Sequence, residues 1–311
     1  MYLITGATGH VGSQLVEQLL ARGKKVRVFT RDKAKVAHWG DRVEVATGDF
    51  SQPETVRQAA TKVDGVFLMN GAGQHNRFPE VSLALKQAAV PRVVFLSSLA
   101  GDEFAIGKLH RQQEASLANA AVPHVVLRPG MFMANFYQWA ATIKSDGAVY
   151  NAMGAGKSAP IAPDDIAAVA AAVLVDGYAA DRPLELTGSE LTSTADQVRT
   201  LSQVLGREIR CVDVPVEAAV QGMIRNGLPP ALAGAVGESF RAVRDGHTTF
   251  KTDTVQRVLG RPPMPLADWF RKNVARFQGG TRSAPKTLSS PKTTYVYECK
   301  RENSCRRVSA A

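Results

Sequence analysis

Six short apolar runs punctuate the first 130 residues: Tyr2–Thr5, Val26–Thr30, Val43–Ala46, Gly65–Met69, Val93–Ser97 and Val125–Arg128. Each is rich in Val, Ile, Leu or Phe and apolar on both faces, the pattern of strands buried in a parallel sheet. Between them the period lengthens. Val11, Leu15 and Leu19 fall at i, i+4 and i+8 and put one apolar stripe on a first helix, which Gly23 ends. Ser51-Gln52-Pro53-Glu54 predicts a capping box that opens a helix through Ala60. Pro91 and Pro123 stand just ahead of the fifth and sixth strands, where the preceding helices must have stopped. Repeated strand–helix units predict an α/β fold built on a doubly wound parallel sheet with helices on both faces.

After Pro129 the rhythm changes. Gly147, Gly154 and Gly156 mark a loop, and Asp164-Asp165 is expected to cap an Ala-rich helix through about Val175. A strand at Leu184–Leu186, a helix from about Ala195 to Leu205 and a strand near Ile209–Val214 follow, then two or three helices ending near Phe277. This part is too irregular for a second copy of the first. Residues 131–278 are therefore expected to form a small lobe that completes the same fold at the carboxyl edge of the sheet, with 1–130 as the binding domain proper.

The chain has 311 residues, 45% of them hydrophobic and 21% charged, which excludes wholesale disorder. The net charge of +10 hints at nucleic acid until its distribution is read. Residues 279–311 carry seven Lys/Arg against Glu298 and Glu302, so half of the excess lies in a Ser/Thr/Pro-rich tail. That tail is expected to be a solvated, disordered extension, and no nucleic-acid partner is expected. The longest apolar run, Ile166–Val175, is half of the roughly 20 residues a membrane helix needs, so no membrane association is expected. Three scattered cysteines suit neither a disulfide framework nor a metal centre. With no basic segment ahead of Tyr2, the expected location is cytoplasmic.

The sharpest local feature is Thr5-Gly6-Ala7-Thr8-Gly9-His10-Val11-Gly12, directly after the first strand and opening the first helix. Such a loop lets backbone approach a pyrophosphate, whose charge meets the amides and positive end of the helix. The spacing Gly-x-x-Gly-x-x-Gly differs from the usual fingerprint, but strand before and helix after agree with dinucleotide binding. Arg31 ends the second strand, 19 residues after Gly12, where an acid would bind a ribose 2′-hydroxyl. An arginine there pairs instead with a 2′-phosphate, which favours NADPH over a weaker NADH. In Gly48-Asp49-Phe50, Asp49 either meets the adenine amine or terminates the strand, and Phe50 is placed to cover the ring. Asn70-Gly71-Ala72-Gly73 follows the fourth strand at the edge where ligands bind. Pro129-Gly130-Met131, after the sixth strand, is expected to pass the nicotinamide. Phe132, Asn135, Phe136 and Trp139 then offer a flat apolar wall suited to a small planar aromatic substrate.

The glycine loop, Arg31, Gly48-Asp49-Phe50, Ser97-Ser98, Leu127-Arg128-Pro129-Gly130 and Ala162-Pro163-Asp164-Asp165-Ile166-Ala167 together resemble the atypical short-chain dehydrogenase/reductases. Within them, the NmrA-like group of quinone, triphenylmethane-dye and azo reductases is the nearest match, from Tyr2 to about Phe277. The resemblance implies a Rossmann-like doubly wound parallel sheet with a small C-terminal substrate lobe and NADPH across its carboxyl edge. Most of that superfamily reduces carbonyls with a Tyr-x-x-x-Lys pair, and no such pair occurs in this chain. His110 and Glu114 stand at the matching positions. His110 is either a proton donor, its ordinary pKa being near neutrality, or a packing residue. Ser97 or Ser98 either hydrogen-bonds the nicotinamide or a substrate oxygen, or caps the strand.

The loss of the tyrosine suits acceptors such as quinones and azo dyes, where an extended π-system takes the hydride. The resemblance also implies an alternative, a non-catalytic NADP(H)-sensing regulator of the NmrA type, which would lack the pair as well. Nothing in the sequence fixes an oligomeric state, and an oligomer is compatible with it.

Overall fold

The doubly apolar runs form β1 (Tyr2–Thr5), β2 (Val26–Thr30), β3 (Glu44–Thr47), β4 (Gly65–Leu68), β5 (Val93–Leu96) and β6 (His124–Pro129). Helices α1 (His10–Ala21), α2 (Pro53–Ala59), α3 (Phe78–Gln87) and α4 (Ala105–Asn119) link them, with a 3-10 stretch over Lys33–Arg42 between β2 and β3. In this computed structural model the described residues are 1–69, 77–278 and, in the tail, 295–300 and 304–309. The chain divides into two units, Met1–Gln278 and Gly279–Ala311.

Beyond β6 come a 3-10 stretch over Met133–Trp139, α5 (Ala140–Asp146), β7 (Ala148–Asn151) and β8 (Lys157–Ser158). Then α6 (Pro163–Val175), β9 (Leu184–Leu186), β10 (Thr192–Ser193), α7 (Thr194–Leu205) and β11 (Arg210–Asp213) follow. Five short helices close the unit: α8 (Val216–Arg225), α9 (Pro230–Arg244), α10 (Thr254–Leu259), α11 (Leu266–Lys272) and α12 (Val274–Phe277). The sequence suggests two or three helices there and leaves β7, β8 and β10 unforeseen. Those strands are two to four residues long and pair only within the lobe, β7 with β11 and β8 with β10.

Seven parallel strands make the central sheet in the order β3-β2-β1-β4-β5-β6-β9. The order reverses between β1 and β4, and in such sheets ligands bind beyond the carboxyl ends at that switch. One face is covered by α1 and α6, whose Leu15, Val16, Leu19, Ile166 and Val169 are fully buried. Helix α6 is buried from Ile166 to Leu174 because its alanines let α1 and the sheet approach closely. The opposite face is packed by Val56, Val81, Leu85 and Leu117 from α2, α3 and α4. A third cluster under the lobe gathers Phe136, Trp139, Leu201, Trp269, Phe270 and Phe277.

Two expected caps are not formed. Helix α2 starts at Pro53 with Gln52 before it and no side-chain cap. Glu54 turns to Arg57, with contacts of 2.7 and 2.5 Å, because a guanidinium one turn on is a stronger partner than a backbone amide. Helix α6 starts at Pro163 after Ala162, so Asp164 and Asp165 lie inside the first turn. Asp165 is fully buried. It accepts the Met264 amide at 2.6 Å and stands 2.8 Å from Arg261 Nη1, tying the loop ahead of α11 to α6. Asp164 pairs with Lys272.

In the tail unit, Tyr295–Lys300 and Ser304–Ser309 pair as antiparallel strands, in register Tyr295↔Ser309 to Lys300↔Ser304. The sequence shows no strand periodicity there. Among the described residues, no helix is long and apolar enough to cross a membrane, and no cluster of His, Cys, Asp and Glu is placed to hold a metal ion.

Candidate active site

The turn after β1 is shaped by its own glycines. Gly6 adopts φ +62°, a left-handed conformation that side chains disfavour, and its carbonyl accepts the Gly9 amide at 2.9 Å. A Cβ on Gly12 would stand 2.2 Å from the Gly6 oxygen, so the first turn of α1 rests directly on the loop. Gly9 precedes α1 and offers no side-chain cap, which leaves first-turn amides for a ligand. Met69, past β4, packs on Gly6, and Thr5 Oγ1 accepts the Met69 amide at 2.8 Å. The cradle a Cβ would fill and the uncapped amides fit the pyrophosphate of a dinucleotide.

Along the edge, Arg31 is 62% exposed in its side chain, with Nε 3.7 Å from Asp49 Oδ2. Its guanidinium is open to a phosphate from solvent. Asp49 Oδ1 accepts the Ser51 amide at 2.7 Å, so the carboxylate does shape the strand end. Phe50 packs on Phe29 with ring centres 5.7 Å apart. Asn70 and Gly71 lie outside the described residues. His10, first in α1, meets Tyr137 with ring centres 5.4 Å apart, which joins the glycine loop to the segment after β6. Burial and the nearby Arg276 charge push the His10 imidazole below its ordinary pKa.

On the other side of the switch point a cleft of about 730 Å³ opens beyond β5 and β6. Its walls come from residues 98–106, 129–139, 153–159 and 236–250, together with Thr187. Pro129, Gly130 and Met131 line it, as do Asn135 and Trp139. Phe132 and Phe136 do not. Phe136 is fully buried against Trp139, Trp269 and Phe270, with ring centres 4.5, 6.0 and 5.4 Å away. The aromatic wall is therefore halved: the 3-10 turn points Phe136 into the core and leaves Trp139 at the cleft. Phe240 and Val243 of α9, with Phe250 beyond it, replace them; sequence periodicity alone gives no sign of which side of α9 faces a ligand. Among the described lining residues there is no Lys or Arg, one acid (Glu103) and one imidazole (His247).

At the positions of the missing pair, Glu114 forms an ion-pair knot. Burial alone would raise its carboxyl, but hydrogen bonds from Arg128 and Ser97 and the charges of Arg111 and Arg128 outweigh burial and lower it. Arg128 Nη2 stands 2.5 Å from Oε2, and Ser97 Oγ and Arg111 Nη1 each 2.5 Å from Oε1. His110 does not line the cleft. Burial first, and the neighbouring Arg111 charge second, push it down to about 4 against the weaker pull of Glu114. Burial therefore favours the uncharged ring at neutral pH.

A Rossmann-like sheet, a glycine turn at its switch point and an open arginine at the end of β2 define an NAD(P)H-binding protein. The chain belongs to the NAD(P)H-binding family, whose match covers residues 6–177. It is 32% identical to a (4-alkanoyl-5-oxo-2,5-dihydrofuran-3-yl)methyl phosphate reductase of Streptomyces griseus, across 89% of this chain and 99% of that one. It is 29% identical to an NAD(P)H azoreductase of Xenophilus azovorans over 89% and 99% of the two chains. Among solved structures, an NADPH-dependent quinone oxidoreductase of Escherichia coli in complex with NADPH shares the fold, with TM-score 0.79 and 23% identity over 88% and 100%. The chain is an NAD(P)H-dependent oxidoreductase.

Proposed function

We propose that the protein is an NADPH-dependent reductase of a small, flat, conjugated acceptor such as a quinone or an azo compound. The observation that carries this reading is the cleft: about 730 Å³, largely apolar, rimmed by Trp139, Phe240 and Phe250, and reached by the segment that leaves β6. Related chains named for an azo reductase and a dihydrofuranone phosphate reductase support it, since both names describe conjugated acceptors. NADPH supplies the hydride. The amides of Gly9–Gly12 receive the pyrophosphate, and Arg31 receives the 2′-phosphate that sets the preference over NADH. Asp49 and Phe50 border the adenine, and Pro129, Gly130 and Met131 border the nicotinamide. Asn135 and Trp139 orient the acceptor, while the apolar wall excludes water.

The test is steady-state NADPH oxidation by the purified protein against quinones and azo dyes, with an acceptor-free blank. Acceptor-dependent turnover with the reduced product identified is expected. Tight NADPH binding without turnover across the panel would overturn the reductase reading in favour of a sensor.

A further inference from the structure

The reductase reading leaves one assembly without a task. Ser98 follows β5 and lines the cleft. Its Oγ lies 2.7 Å from Nδ1 of His110 on α4, and its carbonyl accepts Arg111 Nη2 at 2.5 Å. The neighbouring Ser97 is 4% exposed and spends its hydroxyl on Glu114. Glu114 in turn is clamped by Arg111 and Arg128, so Arg111 fixes both serines, one through its carbonyl and one through a carboxylate. The strand end is therefore held rigidly, with the Ser98 hydroxyl at the cleft wall and the half-buried His110 ring behind it.

We propose that Ser98 is a catalytic residue that gives a proton to the acceptor oxygen or nitrogen after hydride arrives, and that His110 behind it restores that proton from solvent. The proposal rests on the conjugated-acceptor reading above. Hydride addition to a quinone leaves negative charge on an oxygen, which must gain a proton. With its hydrogen on Nδ1, His110 donates to Ser98 Oγ and leaves the serine hydrogen directed at the cleft. The Ser98 O–H bond breaks as the acceptor O–H forms. His110 Nδ1–H then breaks as the Ser98 O–H re-forms, and Nε2 takes a proton from water. One hydride and one proton are consumed, and the ring is left with its hydrogen on Nε2. Once the product leaves, Nε2 returns that hydrogen to solvent while Nδ1 takes the Ser98 hydrogen and Ser98 takes one from water in the emptied cleft, which restores the starting tautomer. Such a relay needs a neutral ring, which burial and Arg111 enforce against Glu114. The chain thus replaces a tyrosine donor by a serine and a histidine placed one behind the other.

Two acceptors separate this role from a structural one. A quinone takes a hydride and a proton, whereas a cationic triphenylmethane dye takes a hydride alone, because its carbocation becomes a neutral C–H. For Ser98→Ala and His110→Gln, kcat with the quinone is expected to fall roughly 10–100-fold further than kcat with the dye. Ser98→Thr, which keeps the hydroxyl, should recover most of the quinone rate. In the cofactor-free protein, ring ¹⁵N shifts should show the His110 hydrogen on Nδ1, and Ser98→Ala should move that signal. Equal losses on both acceptors, or a hydrogen on Nε2 with Nδ1 accepting from Ser98, would overturn the relay. Absence of turnover with either acceptor in the unmodified enzyme would overturn the acceptor reading instead, and the ring measurement, which needs neither, still decides the relay.

Discussion

The glycine-loop end of this chain and the cleft beyond β5 and β6 are built in opposite ways. The glycine loop is eight consecutive residues, Thr5–Gly12, whose shape comes from contacts within the loop itself: Gly12 against the Gly6 carbonyl, and the Gly9 amide on the same oxygen. The cleft draws its walls from segments spread between residues 98 and 250, held together by contacts between distant parts of the chain, such as the Leu99 amide on the Pro129 carbonyl and the Thr248 hydroxyl on the Lys157 carbonyl. Local backbone geometry survives changes elsewhere in the chain. A cleft does not, because each wall residue faces inward only while a distant partner occupies the other side. Phe136 and Trp139 show this: three residues apart, one is turned into the core by Trp269 and Phe270, and the other is left at the cleft.

The largest effect is expected from breaking that packing. Phe136→Ala removes a fully buried ring from the cluster under the lobe and should cost about 3–5 kcal/mol of stability, read as a lower denaturation midpoint. The NADPH affinity of the folded protein should change less than about threefold, because the Phe136 ring faces Trp139, Trp269 and Phe270 rather than the glycine loop or Arg31. A parallel collapse of affinity would mean that the two regions are one energetic unit, through the His10–Tyr137 contact.

What the sequence makes legible follows the same division. The six strands, α1, the glycine loop and Arg31 are all read from consecutive residues, and each stands within a residue or two of its predicted place. The cap at Glu54 was not legible as such, since a capping box and an i,i+3 ion pair with Arg57 compete for one carboxylate and only the second forms. Asp165 reads as a cap from its place at a helix start. In the fold it anchors Met264, 99 residues away. The wall that α9 supplies, Phe240 and Val243, has no local signature at all, because an amphipathic helix turns the same face to a core or to a ligand.

A smaller effect sharpens the comparison from the cofactor side. Arg31→Asp replaces an open guanidinium by a carboxylate beside Asp49, so a 2′-phosphate meets two negative charges instead of one of each sign. NADPH is expected to bind roughly 10–100-fold more weakly, about 1.4–2.8 kcal/mol, while NADH changes little. Titration of each cofactor by nicotinamide fluorescence reads both constants. An unchanged ratio would place the 2′-phosphate on some other group, and the cofactor end would then depend on distant chain as the cleft does.

The smallest expected effect lies where the cleft side departs furthest from its sequence reading. His110 is pushed from an ordinary 6.5 down to about 4, chiefly by burial. Above about pH 6.5 neither the folded nor the unfolded chain protonates it. Between there and pH 4 the unfolded chain binds a proton that the fold refuses, so stability falls as the pH falls. Below pH 4 both states are charged and this loss levels off. Glu114, lowered by Arg128, Ser97 and Arg111 against its burial, adds a separate loss that begins only below its ordinary 4.5. Partial exposure of the His110 ring limits its share to on the order of 1–2 kcal/mol. Denaturation midpoints measured from pH 7 to 4.5 should therefore decline more steeply for the unmodified protein than for His110→Gln, whose amide carries no titratable proton. Parallel curves over that range would mean that His110 charges freely inside the fold. A freely charging ring would already hold protons on both nitrogens as the pH falls, and the neutral Ser98–His110 relay would lose its physical basis.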